Sequence, residues 1–155
     1  MSKIAVFPGS FDPITLGHES IIHRSLPLFD KIIIAIGVNS TKEGYFSLQK
    51  RKLWIEKVFN GEKKTEVKTY KGLTIDFCKK ENANYILRGL RTSADFEFER
   101  IIAQMNRAMN EDIETVFILS TPELSAITST VVRDIIRNSG DAGQFIPSAI
   151  RKELK

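Results

Sequence analysis

The stretch FPGSFDPITLGHESII, residues 7–22, joins an apolar run of strand type to a segment with helical spacing. It contains two glycines, two prolines and one histidine, whereas a plain strand–helix connection is usually shorter. Gly9 lets the backbone approach a ligand closely, and the Asp12 carboxylate can accept hydrogen bonds from loop amides. Gly17 and His18 begin the helix, where free N–H groups and the helix dipole attract anions. The stretch therefore predicts a strand, a phosphate-binding loop and a helix.

Outward from this stretch, short apolar runs alternate with helical patterns along the whole chain. Five runs are typical of strands: residues 4–7, 32–38, 66–70, 85–87 and 115–119. Several are continuous in β-branched residues, which suits strands that are covered on both faces. Repeated strand–helix alternation implies right-handed crossovers and a parallel sheet with helices on both sides. We therefore predict an α/β fold with a doubly wound, five-stranded parallel sheet, in a single domain over residues 1–155.

Two helical stripes lie between the predicted strands. One comprises Ile21, Ile22, Ser25, Leu26 and Phe29, and the other comprises Phe98, Ile101, Ile102, Met105 and Met109. Such spacing is typical of the apolar face of a helix. Ser93 is the predicted N-cap of the second helix. The part of that stripe from Met105 to Met109 fits either the core or a contact between subunits.

The composition excludes several classes of protein. The chain carries 23 basic and 19 acidic side chains, a formal net charge of +4, but the basic residues are scattered and accompany no nucleic-acid-binding module. The longest apolar run, residues 32–38, is far shorter than the ~20 residues of a membrane helix. The single cysteine, Cys78, excludes an internal disulfide and a multi-cysteine zinc site. We expect a cytoplasmic protein that binds neither nucleic acid nor membranes.

The carboxyl ends of the five predicted strands are the expected location of a ligand site. They read SFDPITLGH, NSTKEG, KGLT, RGLRTS and STPELSAITST. Three of these ends offer basic or imidazole donors, and the others offer hydroxyl groups and flexible backbone. This edge of the sheet therefore suits an anionic, phosphorylated ligand. The phosphate-loop pattern GxxxxGK[ST] and the dinucleotide pattern GxGxxG do not occur in the opening stretch.

The pattern Thr15-x-Gly17-His18 resembles the (H/T)xGH signature of the nucleotidylyltransferase superfamily. Four further blocks resemble the bacterial phosphopantetheine adenylyltransferase family within it: FSL at 46–48, ILRGLRTSADFEFE at 86–99, AQMNR at 103–107 and TPELSAITST at 121–130. The resemblance covers the whole chain, and the blocks stand in the right order and spacing. It implies a Rossmann-like version of the predicted sheet.

The resemblance also implies a reaction, in which ATP and 4′-phosphopantetheine give dephospho-coenzyme A and pyrophosphate with Mg²⁺. The attacking group is a phosphate that is already anionic, so no general base or covalent intermediate is needed. Catalysis would depend on alignment of the two anions and on neutralisation of developing charge. The family further implies a homohexamer, with dephospho-coenzyme A and coenzyme A as product and candidate inhibitor. No residue is assigned as a ligand of the metal.

The resemblance assigns roles residue by residue. His18, Lys42 and Arg91 would be catalytic. Ser10, Lys42, Thr74 and Arg88 would bind phosphopantetheine. The residues that would contact ATP are Ser10, Phe11, His18, Gly89, Leu90, Arg91, Glu99, Leu124, Ser125, Ala126, Ile127, Thr128, Ser129 and Thr130.

Several of these assignments have a structural alternative. His18 fits a helix cap, Lys42 a solvated loop lysine, and Glu99 a solvent-facing helix residue. The two arginines, Arg88 and Arg91, fit ion pairs with Asp95 or Glu97, and the hydroxyl groups of residues 128–130 fit helix caps. Trp54 is predicted to pack in the core, and His23 to lie on the surface.

Two other functions remain compatible with the chain. One is adenylyl or cytidylyl transfer to another acceptor, such as nicotinate mononucleotide or a glycerol or choline phosphate. The second is a non-catalytic nucleotide-binding module on the same fold. The block at 86–99 disfavours the first, and the complete set of basic residues disfavours the second.

Overall fold

The strand that precedes the opening loop, β1 (Ile4–Gly9), lies at the centre of a parallel sheet in the computed structural model, which describes residues 1–154. The other strands are β2 (Lys31–Gly37), β3 (Thr65–Tyr70), β4 (Tyr85–Leu90) and β5 (Glu114–Leu119). The helices are α1 (Leu16–Ser25), α2 (Leu48–Val58), α3 (Thr74–Lys80), α4 (Ser93–Met109) and α5 (Ser129–Arg137). Each predicted strand is present, so the predicted α/β class is confirmed.

The strand order is β3-β2-β1-β4-β5, and all neighbouring pairs are parallel. The chain runs outward from β1 to β3 and then returns to place β4 on the other side of β1. This reversal creates a crevice between the carboxyl ends of β1 and β4, where doubly wound sheets bind their ligands. The loop of residues 10–15 leaves β1 directly into that crevice.

The sheet is covered on both faces, as its apolar strands require. On one face, α1, α2 and α5 contribute Ile22, Ile55 and Val132 to a core with alternate residues of β1 and β2. On the other face, α3 packs Ile75 and Cys78 against the intervening strand residues. Cys78 is fully buried, and burial raises its pKa to about 12. Trp54 is also buried and His23 is exposed, as predicted.

Helix α4 differs from its prediction in two respects. Its N-cap is Thr92, whose side chain accepts a hydrogen bond from the Asp95 N–H, so the prediction of Ser93 is wrong by one residue. The apolar stripe does not enter the core, because its five members are 40–66% exposed. The buried residue of this helix is Glu99.

Within residues 1–154, no helix combines the length and the apolar character needed to cross a membrane.

Candidate active site

The crevice opens because β1 and β4 separate toward their carboxyl ends. Their registered pairs are Ala5 with Tyr85 and Val6 with Ile86. Beyond these pairs, Arg88 Nη1 donates to the Pro8 carbonyl oxygen at 2.7 Å across the gap. Three cavities, of about 290, 530 and 690 Å³, meet here, and Ser10 lines all three. The site is therefore a branched crevice rather than a single pocket.

His18 contributes one ring nitrogen to the cap of α1. The Thr15 N–H donates to His18 Nδ1 at 3.0 Å, and the Thr15 side chain accepts from the His18 backbone N–H. Because Nδ1 accepts a hydrogen bond, the ring hydrogen lies on Nε2. His18 lines the 530 Å³ cavity, so Nε2–H is a donor for a ligand there. The cap and the ligand-binding role of His18 are compatible.

The ring of His18 is neutral at physiological pH. Burial, followed by the positive charges of Arg88 and Arg91, lowers the pKa of His18 from 6.5 to about 4. The rings of Phe7 and Phe11 stand edge-on to the imidazole at centroid distances of 6.3 and 5.0 Å. These contacts fix the ring orientation, so His18 offers a preoriented hydrogen-bond donor rather than a cation.

Arg88 is held by a forked ion pair with Glu99 on α4. Arg88 Nε donates to Glu99 Oε2 at 3.0 Å, and Arg88 Nη2 donates to Glu99 Oε1 at 2.6 Å. With the bond to Pro8, this accounts for three of the five N–H groups of the guanidinium. One N–H on each terminal nitrogen remains for a ligand. Arg88 and Glu99 line both the 290 and the 530 Å³ cavities.

Two structural alternatives are therefore wrong, the one for Glu99 and the one for Arg88. Glu99 is 8% exposed and does not face solvent. Arg88 does not pair with Asp95 or Glu97, because its partner is Glu99. Arg91 does pair with Asp95, at 3.6 Å on the surface, and Glu97 pairs with Arg100.

The start of α5 forms another wall of the 530 Å³ cavity through residues 127–130. Thr128 caps the helix by accepting from the Val131 N–H at 3.1 Å, so the capping alternative is right for this residue. Ser129 Oγ donates to the Pro13 carbonyl oxygen at 2.8 Å and ties α5 to the opening loop. The first-turn amides and the helix dipole make this end of α5 attractive to anions.

The 290 Å³ cavity has a mixed lining that differs from the basic wall around His18. Tyr70 and Thr74 share a hydroxyl–hydroxyl hydrogen bond of 2.9 Å, and Asn106 adds an amide. Ile86 and Ile102 supply apolar surface. This combination suits a flexible arm that has both carbon chain and amide groups.

The 690 Å³ cavity lies on the other side of Ser10 and is rich in basic side chains. Its basic residues are Lys42, Arg51, Arg133 and Arg137. Lys42 is exposed, and its long, flexible side chain carries the ammonium group at the edge of this cavity. Arg133 Nη1 donates to the Asp12 carbonyl oxygen at 2.8 Å and links α5 to the same loop.

The structure brings most of the sequence-predicted residues to one crevice. Those around the 530 Å³ cavity are Ser10, Phe11, His18, Arg88, Gly89, Arg91, Glu99, Ile127, Thr128, Ser129 and Thr130. Thr74 lines the 290 Å³ cavity and Lys42 the 690 Å³ cavity. Leu90, Leu124, Ser125 and Ala126 are not among the residues that line these cavities.

Sequence reasoning missed several polar residues of the crevice, among them Tyr70, Asn106, Arg133 and Arg137. Tyr70 is the last residue of β3, so its position at a strand end was a usable signal. Asn106 lies within the AQMNR block, but its helical face was visible only once α4 was packed. The two arginines carry no local signal, because their place depends on where α5 docks.

Comparisons with known proteins agree on the type of protein. Residues 6–135 match the model of the cytidylyltransferase-like family. A phosphopantetheine adenylyltransferase from Flavobacterium johnsoniae is 56% identical over 147 residues, which cover 95% of this chain and 96% of the relative. One from Christiangramia forsetii is 52% identical over 97% of this chain and 99% of the relative.

Solved structures agree on the fold. A chain assigned as a nicotinate-nucleotide adenylyltransferase from Vibrio parahaemolyticus superposes with a TM-score of 0.76 over 99% of both chains, at 20% identity. A bifunctional NMN adenylyltransferase/ADP ribose pyrophosphatase from Francisella tularensis gives a TM-score of 0.74 over 99% of this chain and 49% of its own, at 18% identity.

Proposed function

The chain belongs to the cytidylyltransferase-like family and, within it, to the phosphopantetheine adenylyltransferases, and on that premise we propose that it transfers the adenylyl group of ATP to 4′-phosphopantetheine. A phosphate oxygen of phosphopantetheine attacks the α-phosphorus of ATP. The bond between that phosphorus and the α,β-bridging oxygen breaks, and pyrophosphate leaves with that oxygen. The products are dephospho-coenzyme A and pyrophosphate.

The observation that carries the proposal is the meeting of two unlike cavities at Arg88. The 530 Å³ cavity has the anion-attracting walls that a triphosphate requires, and the 290 Å³ cavity has the mixed lining that a pantetheine arm requires. The unassigned N–H groups of Arg88 lie where the two cavities join. A phosphate at the end of the arm would thus stand next to the α-phosphate of the nucleotide, as in-line transfer requires.

The remaining residues divide between binding and charge neutralisation. Arg91 and the start of α5 would hold the β- and γ-phosphates. His18 Nε2–H would donate to oxygen atoms that gain charge as pyrophosphate leaves. Lys42 would move from the loop to bridge the two reacting phosphates, and Thr74 would contact the arm.

The other ATP-contacting assignments stay part of the proposal. Leu90 and residues 124–126 would be reached by the part of the nucleotide beyond the phosphates. Gly89 lines the 530 Å³ cavity, where its backbone would contact ATP; a Cβ here would stand 3.2 Å from Ile21, so the glycine also permits the packing of α1. The Glu99 carboxylate is engaged by Arg88, so its contribution to nucleotide binding would be made together with that arginine.

Magnesium fits this site as part of the nucleotide. Among residues 1–154, no group of three or more histidine, cysteine, aspartate or glutamate side chains is arranged to hold a metal ion. Mg²⁺ commonly keeps several waters and binds through substrate phosphates. We therefore propose that the substrate is Mg·ATP, with the metal held mainly by phosphate oxygens.

Pyrophosphate release tests the proposal directly. Purified protein with Mg²⁺ and ATP is assayed with 4′-phosphopantetheine, nicotinate mononucleotide or glycerol 3-phosphate, and the adenylylated product is identified by mass spectrometry. We expect turnover with 4′-phosphopantetheine only. Efficient use of nicotinate mononucleotide without use of phosphopantetheine would assign the chain to another acceptor, and no turnover with any acceptor would favour a non-catalytic module.

The proposal extends to assembly, location and regulation. The exposed apolar face of α4 suits a contact between subunits of a homohexamer, since large exposed apolar patches mark interaction surfaces. We place the protein in the cytoplasm, where the buried thiol of Cys78 would stay reduced. Dephospho-coenzyme A, as product, would occupy both cavities, and coenzyme A would compete for them as an inhibitor.

A further inference from the structure

The loop that carries Lys42 is bonded to the opening loop near its α2 end, whereas the residues around Lys42 form hydrogen bonds within their own turn. It leaves β2 after Gly37 and returns at Ser47, the N-cap of α2. At the β2 end, the Val38 N–H donates to the Tyr70 carbonyl oxygen at 2.8 Å. Beyond it, the Thr41 N–H donates to the Asn39 side chain at 3.0 Å within a local turn. Lys42 itself is exposed. Its reach into the crevice is therefore set by the end that is bonded to the opening loop, which follows two residues later.

The clamp is centred on the carboxylate of Asp12. Asp12 Oδ2 accepts from the Tyr45 N–H at 2.7 Å, and Asp12 Oδ1 accepts from the Phe46 N–H at 2.9 Å. Both oxygens are thus committed to consecutive amides of the Lys42 loop. Asp12 is 6% exposed, and hydrogen bonds that involve a charged group are the stronger kind.

Arg51 on α2 closes the clamp from the other side. Its Nη1 donates to the Ser10 carbonyl oxygen at 2.9 Å, and its Nε donates to the Phe46 carbonyl oxygen at 3.1 Å. Gly44 fits between these groups, because a Cβ there would stand 3.0 Å from both the Arg51 guanidinium and Asp12 Oδ2. The opening loop and the Lys42 loop are therefore locked to each other at Asp12, Arg51 and Gly44.

The Lys42 loop is thus bonded to a part of the opening loop that lines the site, because Ser10 lines all three cavities. We propose that Asp12 is a positioning residue that anchors the Lys42 loop to the opening loop and thereby sets the distance from Lys42 to the reacting phosphates. The inference rests on the proposed function for the role of Lys42. Both carboxylate oxygens of Asp12 are engaged by the Tyr45 and Phe46 amides, so we assign Asp12 a positioning role through Lys42 rather than a contact with the substrate.

Two substitutions break the clamp in different ways. Asp12→Asn removes the charge and one of the two acceptor oxygens. Gly44→Ala leaves the carboxylate intact, but its Cβ pushes the loop away from the Arg51 guanidinium and from Asp12 Oδ2. Asp30→Asn is the matched control, because Asp30 Oδ2 also accepts from a backbone N–H, that of Lys3 at 2.7 Å, at the opposite end of the sheet. Gly44→Ala also serves if Asp12→Asn does not fold.

A double-mutant cycle with Lys42→Ala measures whether Asp12 acts through the lysine. Since a misplacement of about 1 Å can cost roughly 10²-fold in rate, we expect a loss of that order in kcat for Asp12→Asn and Gly44→Ala, and none for Asp30→Asn. In the Lys42→Ala background, the clamp substitutions should cost less than about 2-fold, since interacting residues are not additive. Fully additive losses, or unchanged kcat in both clamp variants, would overturn the proposal.

Tryptic cleavage after Lys42 gives a readout that is independent of activity. The fragment of residues 1–42 should form several-fold faster in both clamp variants than in the wild type or in Asp30→Asn. Equal cleavage rates would show that the clamp does not hold the loop. If the wild type fails to release pyrophosphate while cleavage changes as expected, the proposed function fails and the anchoring role stands.

Discussion

One ring nitrogen of His18 takes part in the N-cap of α1, and the other is available to a ligand. The Thr15 N–H fixes Nδ1 as the acceptor, and this choice places the hydrogen on Nε2. A substrate arriving in the 530 Å³ cavity would thus meet a donor whose tautomer and orientation are already set. Because this donor is preorganised, His18 does not have to reorient during the reaction.

Replacement of His18 by alanine should therefore affect the chemical step more than binding. Removal of one preorganised donor typically costs ~10²–10³ in turnover, and a contact made chiefly in the transition state lowers kcat with little change in ground-state affinity. We expect this pattern for His18→Ala from steady-state kinetics and calorimetric ATP titration. ATP affinity that fell in proportion to kcat would make His18 a binding group only.

The lowered pKa of His18 predicts that its ring does not titrate near neutral pH in the free protein. With a folded-state pKa of about 4 against an ordinary value of 6.5, the unfolded chain binds more protons between these values. The stability linked to His18 is therefore complete above pH 6.5 and is lost as the pH falls toward 4. An NMR titration, with ring signals assigned from His18→Ala, should show no His18 transition between pH 5.5 and 8; a midpoint near 6.5 would contradict the burial argument.

Arg88 and Arg91 should respond differently to the same substitution by lysine, because lysine lacks the planar fork. Arg88→Lys should weaken phosphopantetheine binding and also lower the Tm, since Glu99 is 8% exposed and would lose its forked partner. Arg91→Lys should weaken ATP binding with an unchanged Tm, because its pair with Asp95 is long and exposed. Calorimetry with both ligands and thermal melts check this, and identical behaviour of the two variants would contradict it.

At the scale of the elements, the strands were predictable and the helix faces only in part. Runs such as residues 32–38 read as strands because apolar β-branched residues are buried on both faces of the sheet. The stripe on α4 follows helical spacing equally well, but spacing cannot tell a core from an exposed face. The burial of Glu99 is invisible in the sequence for the same reason, since its partner Arg88 lies on a strand.

Contacts between distant segments mark the limit of prediction for the site. Most of the crevice could be predicted, because strand ends converge in a parallel sheet. The bonds of Asp12 with Tyr45 and Phe46 could not, since they join positions 33 and 34 residues apart. Nothing in either loop by itself indicates which amides the carboxylate would find.

The start of α4 offers a test at the scale of one element. Thr92 is the N-cap, and its side chain accepts from the Asp95 N–H at 3.2 Å while Asp95 accepts from the Thr92 N–H. Loss of an N-cap typically costs ~1 kcal/mol. We expect Thr92→Ala to lower the free energy of unfolding by about that amount in urea melts. Ser93→Ala, one residue later, should leave stability nearly unchanged, and a larger loss at Ser93 would contradict the cap assignment.

At the scale of the molecule, charged and apolar surfaces lie on different sides of the sheet. The edge strand β3 carries a chain of ion pairs that joins Lys31, Glu66, Lys68 and Glu81. Charged edge strands resist pairing with other chains. The opposite side of the molecule carries the apolar face of α4. Association is therefore discouraged at β3 and favoured at α4.

This asymmetry yields a prediction about assembly. Ile101 and Met105 are 55% and 61% exposed on α4, so a glutamate at either position leaves the core of the subunit intact but puts a charge into the proposed contact. We expect the wild type to form a multimer in size-exclusion chromatography with light scattering, and Ile101→Glu and Met105→Glu to dissociate into smaller species. Leu53, 47% exposed on α2, is the matched control, and Leu53→Glu should keep the wild-type size. A multimer that survives both α4 substitutions but dissociates with Leu53→Glu would place the contact on α2.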